Sequence, residues 1–135
     1  MAFTNVNFVG VVISAVVAMV LGFIWYIPLF GKQWTALTGM TQEQMQSGAG
    51  PMGYAIQFVA AVIAAYALAL FIRPLEIVSL FGGLKLGLLV GVGFVATAFA
   101  GNYMFGKRSL NLYLIDAGYQ VVVLAVMGAI LGLMH

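Results

Sequence analysis

The chain has 135 residues, of which 64% are apolar and 6% are charged. A soluble globular domain carries about 25% charged residues. This chain therefore cannot cover a water-facing surface, and we expect its surplus apolar surface to face membrane lipid. The length fits one integral membrane domain over residues 1–135. Five basic residues are too few and too scattered for a nucleic-acid patch, which excludes nucleic acid as a partner.

Residue counts exclude further kinds of site. The chain contains no cysteine, which rules out disulfides, thiolate catalysis and cysteine-ligated metals. Its single histidine is the last residue, His135, and one histidine does not build a haem or zinc site within one chain. We therefore predict no metal site and no cofactor.

Four apolar stretches are long enough to cross a bilayer as helices, which takes about 20 residues each. They cover residues 8–30, 52–72, 80–105 and 110–133. The first lacks the positive flank of a signal peptide, so we expect it to be retained. Short connections follow the second and third stretches, as between antiparallel neighbours. The sequence predicts an all-α fold, a four-transmembrane-helix bundle of two antiparallel hairpins.

The long polar segment, residues 31–51, follows the first span. Thr41 and Gln44 have the spacing of a capping box, which predicts a short interfacial helix over residues 42–46. The glycines and the proline at 48–51 would end it. A flexible loop is the alternative, and the residues do not decide between the two.

Positive charges near the span ends indicate the orientation. Lys32, Lys107 and Arg108 fall on one side of the predicted bundle, and Arg73 falls on the other. The positive-inside rule favours a topology in which the loops after the first and third spans are cytoplasmic. Lys85 lies about one turn inside the third span, and we expect its side chain to extend toward the Arg73 side.

Small residues recur at four-residue spacing in every span. This spacing keeps them on one helix face, where they allow the close backbone approach that holds helices together in lipid. The strongest row is Gly83, Gly87 and Gly91, and the fourth span carries Gly128 and Gly132. We expect these rows to lie in helix–helix contacts, within the chain or against a second copy. Because four spans offer few internal faces, we predict a homo-oligomer.

Asp116 is an acid inside the fourth span, about two turns from the Lys107–Arg108 loop. An ionised acid at such depth costs about 2.5–3.5 kcal/mol, so it should face the bundle and find polar partners. The other spans bring polar or aromatic groups to the same level. The predicted intramembrane polar site consists of Asp116, Tyr119, Gln120, Asn102, Gln57, Tyr26 and Trp25.

This polar layer has two interpretations. In the first, interhelical hydrogen bonds of about 0.6 kcal/mol each fix the helix register. In the second, Asp116 accepts a proton or cation in a pocket that aromatic residues shape. The sequence offers no nucleophile with a base, paired carboxylates or metal-ligand set, so we do not expect an enzyme.

Three segments, WYIPLFGKQW, GFVATAFAGNYMF and SLNLYLIDAGYQ, together with the TGMTQEQ loop, resemble the DUF1761 family of small integral membrane proteins of bacteria and archaea. The string WYIPLFGK is the most specific part. The resemblance covers nearly the whole chain and implies four spans and a multi-pass protein of the prokaryotic inner (cytoplasmic) membrane. It implies no substrate and no catalytic residue.

Two functions remain open from the sequence. We favour a non-enzymatic module that acts through helix packing or assembly. The alternative is a small transporter or channel for a proton, a cation or a small solute, which would use the polar layer around Asp116. A water-accessible cavity that reaches Asp116 would favour the second function.

Overall fold

The structure is a computed structural model that describes residues 6–39 and 50–135. These residues form helices and connecting turns, with no strand among them. Four helices are long and apolar enough to cross a membrane, and they cover Phe8–Leu29, Pro51–Ile72, Leu80–Phe105 and Leu110–Leu133. The predicted all-α, four-span fold is confirmed, and each span begins and ends within one residue of its expected position.

The described residues form six α-helices and two π-helical turns. In chain order these are α1 (Phe8–Ile24), π1 (Trp25–Leu29), α2 (Gly31–Thr38), α3 (Gly50–Ile72), α4 (Leu80–Val90), π2 (Gly91–Ala96), α5 (Thr97–Phe105) and α6 (Leu110–Leu133). The first span is α1 with π1, the second is α3, and the fourth is α6. The third span is divided by π2 into α4 and α5.

Side-chain caps fix where three spans begin. Asn7, Ser79 and Ser109 precede α1, α4 and α6, and each accepts a hydrogen bond from the backbone N–H three residues later. The first N–H groups of a helix have no partner inside the helix, so such caps stabilise its start. The Asn7 amide also donates to the carbonyl of Met134 at 2.5 Å. This bond joins the start of the first span to the end of the fourth.

The fourth span, α6, lies at the centre of the bundle. Half of its most apolar stretch is buried (50%), against 28%, 28% and 22% for the other three spans. α1 and α3 pack against it on one side and α4 on another. Ala15, Ala65 and Met127 belong to the core cluster between the first, second and fourth spans. The outer faces of all spans carry exposed apolar side chains, as lipid contact requires.

The segment after the first span contains a helix that the sequence did not predict, α2. It ends at Gly39, whose φ of 76° is left-handed and therefore favours glycine. The ring of Trp34 in α2 lies 6.1 Å from that of Tyr26, so α2 packs back against the first span. The predicted helix over residues 42–46 lies outside the described residues.

The π-helical turns interrupt two spans that the sequence predicts as regular helices. Pro28 lies inside π1 and has no N–H to offer the carbonyl four residues before it, so a regular α-turn cannot form there. In π2, the Thr97 hydroxyl donates to the carbonyls of Gly93 and Phe94 at 3.0 and 3.1 Å. Side-chain hydroxyls often satisfy carbonyls that a distorted membrane helix leaves without regular partners. π-turns inside α-helices occur frequently at functional sites.

Candidate functional site

The third and fourth spans touch backbone to backbone at one end of the bundle. A Cβ atom added at Gly83 would lie 1.8 Å from the carbonyl oxygen of Gly128, and one at Gly87 would lie 2.0 Å from that of Leu124. A Cβ at Gly132 would lie 2.3 Å from the carbonyl oxygen of Ser79. Only glycine fits such an approach, so the rows expected in helix–helix contacts meet each other within the chain. We call this half of the bundle the closed end.

The same two spans separate toward the other end. A Cβ at Gly91 would lie 3.0 Å from the Cα of Val121, whereas a Cβ at Gly93 or Gly101 would meet nothing within 4 Å. The second span is less buried in the same half, although its Tyr54 ring stacks on Phe23 of the first span at 5.9 Å. None of its residues from 51 to 60 is buried, although Ala61 begins a buried row on the same helix. We call the half of the bundle around Asp116 the open end.

A cavity of about 410 Å³ fills the open end between the four spans and α2. Thirteen of the described residues line it, and seven of these are aromatic, which makes its walls mainly apolar. The aromatic residues are Phe23, Tyr26, Trp34, Tyr54, Phe99, Tyr103 and Tyr119. The polar lining residues are Asp116, Gln57 and Gln120. The cavity therefore has the shape and lining of a small-molecule site, with few polar groups in apolar walls.

Asp116 lies at the wall of this cavity, half-buried, and each of its carboxylate oxygens accepts a hydrogen bond from a tyrosine. The Tyr26 hydroxyl donates to Oδ1 at 2.8 Å, and the Tyr103 hydroxyl donates to Oδ2. Tyr26 belongs to π1 and Tyr103 to α5, so the carboxylate joins the first, third and fourth spans. Polar groups inside a membrane span need such partners, and two donors satisfy both oxygens of this carboxyl group.

π1 positions two neighbouring aromatic residues against the fourth span. The Trp25 indole Nε1 donates to the carbonyl of Ile115 at 3.0 Å, and the next residue, Tyr26, reaches Asp116. The hydroxyl of Tyr119 donates to the carbonyl of Ala18 at 3.0 Å, so it joins α6 to α1. The first span is thus held on both sides of the carboxylate, and Tyr26 has a fixed position.

Most of the residues expected at the site come together, and two of them do not line the cavity. Five of them line the cavity, namely Asp116, Tyr119, Gln120, Gln57 and Tyr26. Trp25 lies beside it and is bonded to the fourth span instead. Asn102 is exposed and does not line the cavity. Tyr103, which we did not assign to the site, takes the position expected for Asn102.

π2 explains this exchange of Tyr103 for Asn102. In an uninterrupted α-helix, each residue advances by about 100°, so Asn102 would return to within about 20° of the face of Gly91. A π-turn adds one residue to a turn, which moves every later residue back by one position on the helix face. The face that continues from Gly91 is then occupied by Tyr103. The pattern of apolar residues contains no signal for such an insertion.

Comparison with known protein families identifies the chain. The family model described as "Protein of unknown function (DUF1761)" matches residues 9–132. The chain belongs to the DUF1761 family. No curated protein and no solved structure matches it. Because the family description assigns no activity, the geometry of the site carries the functional conclusion for this DUF1761 protein.

The basic residues of the DUF1761 chain lie outside the cavity lining. The Arg108 guanidinium carbon lies 5.2 Å from the centre of the Tyr103 ring, at the end of the third span. Lys85 is exposed on α4, consistent with a side chain that extends along the lipid-facing surface. In the part of the chain that the structure describes, no lysine, arginine or histidine therefore lines the cavity beside Asp116.

The cavity offers three kinds of interaction to a bound molecule. Asp116 supplies one carboxylate, Gln57 and Gln120 supply amides, and the aromatic residues supply apolar and π-faces. Among the described residues, no three histidine, aspartate or glutamate side chains come together as a metal-ligand set. The arrangement can hold a proton at the carboxylate, or it can hold a small molecule with a polar end and an apolar body.

Proposed function

We propose that this DUF1761 protein is a small transporter that binds a small molecule at Asp116. One observation carries the proposal, namely that a cavity of about 410 Å³ reaches the carboxylate, about 9 Å along a membrane-spanning helix from its start. Small-molecule sites typically have volumes of about 300–1,000 Å³ and mainly apolar walls. Acids inside membrane spans commonly mark substrate, ion or proton pathways.

In a transporter, the half of the third span beyond π2, α5, would be the helix that moves. α4 is fixed to α6 by backbone contacts at Gly83 and Gly87, whereas α5 contains no buried residue. One tyrosine hydroxyl joins α5 to α6, since Tyr103 donates to Asp116, and a second joins π2 to α6, since Tyr113 donates to the carbonyl of Ala96 at 2.9 Å. A ligand that replaces Tyr103 at the carboxylate would release α5, which could then turn about π2 and change the opening of the cavity.

The location and assembly of the protein complete this proposal. We place it in the prokaryotic inner membrane, as a non-enzymatic homo-oligomer surrounded by lipid. Lys32, Lys107 and Arg108 lie at the open end, and the positive-inside rule assigns that end to the cytoplasm. The exposed apolar outer faces of the spans support contact with lipid and with a second copy.

An assembly module is the second candidate function. It is supported by the hydrogen bonds of Asp116 with Tyr26 and Tyr103, because they join three spans in one layer. Such a layer would fix helix register without any ligand. The two functions differ in what they require of the cavity, since only the transporter must bind a molecule there.

A binding screen separates the two functions. Purified protein in nanodiscs is heated with a panel of small anionic, neutral and cationic amphiphiles, and its unfolding temperature is compared with that of Gln57→Trp. Gln57 lies in the exposed half of α3 and lines the cavity, so an indole at this position should fill the cavity without disturbing the closed end. The transporter predicts that at least one class stabilises the wild type and not the variant.

Transport itself is then measured with the stabilising compound in proteoliposomes. We expect uptake by the wild type and loss of uptake in Gln57→Trp. If no class of compound stabilises the wild type more than Gln57→Trp, the transporter is wrong and the assembly module is favoured.

A further inference from the structure

The charge of the cavity is unbalanced. Among the described lining residues, Asp116 is the one with an acidic or basic side chain, and both of its hydrogen-bond donors, Tyr26 and Tyr103, are neutral. Arg108 lies outside the lining, over the Tyr103 ring and against the Tyr103 hydroxyl, and no ion pair joins it to Asp116 in the described residues. A charge inside a membrane protein is stabilised when an opposite charge pairs with it. A cationic ligand in the cavity would supply that positive charge directly at the carboxylate.

The walls of the cavity favour an organic cation. Tyr26 lies edge-on to Tyr119 at 5.2 Å between ring centres, and Phe99 stacks on Tyr103 at 5.8 Å. These rings come from the first, third and fourth spans, so aromatic groups surround the carboxylate from several sides. The face of an aromatic ring attracts ammonium groups, and cages of such rings recognise quaternary ammonium ligands.

The volume and the ligand atoms argue against a bare metal ion. Calcium and magnesium take six or more oxygen ligands, and the lining offers one carboxylate and the amides of Gln57 and Gln120. A bare ion would also leave most of the roughly 410 Å³ and its aromatic walls without contacts.

We propose that the cavity binds an organic monocation. Its cationic group pairs with the carboxylate of Asp116, and its apolar body lies against the aromatic walls formed by Phe99, Tyr103 and Tyr119. One carboxylate in the lining matches one positive charge on the ligand. This inference rests on the proposed function, since it names the chemical class that the transporter site takes.

A pair of molecules of equal shape tests the inference. Benzyltrimethylammonium and neopentylbenzene differ only in a charged nitrogen in place of a carbon. The protein in nanodiscs of neutral lipid is titrated with each, and tryptophan fluorescence reports binding, because Trp34 lines the cavity. Tetramethylammonium and tetraphenylphosphonium extend the series to smaller and larger cations. Trp34→Phe shows how much of the signal comes from Trp25, the other tryptophan of the chain.

The expected result is saturable quenching by at least one cation of the series. We expect benzyltrimethylammonium to bind about tenfold or more tightly than its neutral counterpart, since a desolvated cation–π contact and an ion pair are both lost in neopentylbenzene. Asp116→Asn should remove this preference and leave the affinity for neopentylbenzene unchanged. If the variant does not fold, the comparison of the two molecules on the wild type alone decides the inference.

Three outcomes would overturn the cation class. The first is equal affinity for the charged and the neutral molecule, and the second is quenching by none of the three cations. The third is loss of quenching when sodium or potassium chloride replaces a large organic buffer cation. Saturable binding of neopentylbenzene that Gln57→Trp abolishes would overturn the cation class but keep the transporter. If no compound of any class binds in the cavity, both are wrong.

Discussion

The closed end and the open end of this bundle are built from the same spans but hold them together in different ways. At the closed end, α4 and α6 approach so closely that a Cβ at Gly83 would lie 1.8 Å from the carbonyl oxygen of Gly128. At the open end, hydroxyl groups join the third span to α6, from Tyr103 of α5 to Asp116 and from Tyr113 to the carbonyl of Ala96 in π2. One end is held by backbone contact, and the other by a few side-chain hydrogen bonds around a cavity.

The two ends therefore have different roles along the membrane normal, with the stabilising contacts at one end and the proposed binding cavity at the other. In lipid, apolar burial between helices gains little, because lipid tails are as apolar as the side chains, and close packing carries the association. The closed end therefore supplies most of the stability of the third span. The open end is free to keep a cavity and an acid that would destabilise a fully packed bundle. π2 is the boundary between the two ends.

The largest expected loss of stability is that of Gly87→Leu, which should disrupt the helix contact at the closed end. A Cβ at this position would already lie 2.0 Å from the carbonyl oxygen of Leu124, and a leucine side chain would force the two backbones apart. Overpacking of a tight core typically costs about 1–3 kcal/mol and occasionally more, and we expect about 3 kcal/mol or misfolding here. Reversible unfolding in mixed detergent, together with the oligomer size, measures the effect.

Gly101→Leu is the matched control for this change, in the same span but at the open end. A Cβ at Gly101 meets nothing within 4 Å, so leucine should point outward and change stability by less than about 0.5 kcal/mol. If Gly87→Leu is as stable as Gly101→Leu, the glycine row does not hold the third span to the fourth.

The change in stability across a series of glycine-to-alanine variants should show where along the third span the closed end changes into the open end. The space for a Cβ increases from Gly87 to Gly91 and then to Gly93. We expect Gly87→Ala to destabilise by about 1–3 kcal/mol, and Gly91→Ala to cost less. Gly93→Ala should be neutral or stabilising by up to about 1 kcal/mol, because alanine favours a helix more than glycine does. A flat series would contradict a gradient of packing along the third span.

The layer at the open end should respond differently to two changes of Asp116. Asp116→Leu leaves the hydroxyls of Tyr26 and Tyr103 without their acceptor, which costs about 1–3 kcal/mol for a buried group. Asp116→Asn keeps an acceptor oxygen and should fold with little loss. The measurement is again unfolding in mixed detergent. Equal stability of wild type, Asp116→Asn and Asp116→Leu would mean that the tyrosine–carboxylate bonds add nothing to the fold.

The sequence predicted the closed end better than the open end, for a physical reason. The glycine rows and the long apolar runs are local patterns, and a four-residue step keeps Gly83 and Gly87 on one face whatever their partner is. The cavity depends on where the regular helix is interrupted. One extra residue in π2 puts Tyr103 in place of Asn102, and nothing in the apolar pattern marks that residue. The inward position of Asp116 could be predicted, because an acid in contact with lipid and without polar partners is energetically costly.

The smallest expected loss of stability comes from removing the hydroxyl of either tyrosine that donates to Asp116. Tyr26→Phe and Tyr103→Phe each remove one hydroxyl and should cost about 0.6 kcal/mol, the average for such bonds in membranes. The two variants should nevertheless differ in motion. Tyr26 is also held by ring contacts with Trp34 and Tyr119, and its neighbour Trp25 is bonded to the fourth span. Tyr103 provides the hydroxyl bond that joins α5 to α6, beside a ring contact with Tyr113 at 6.0 Å that phenylalanine would keep.

A spin label on α5 measures this difference directly. The chain has no cysteine, so Met104→Cys gives a single labelling position, and Met104 is 78% exposed, which leaves room for the label. We expect Tyr103→Phe to sharpen the spectrum, because α5 moves more freely about π2, and Tyr26→Phe to leave it unchanged. If both variants give the wild-type spectrum, α5 is held by contacts other than Tyr103 with Asp116. A ligand that displaces Tyr103 would then not move α5, and opening of the cavity would have to arise in the second span.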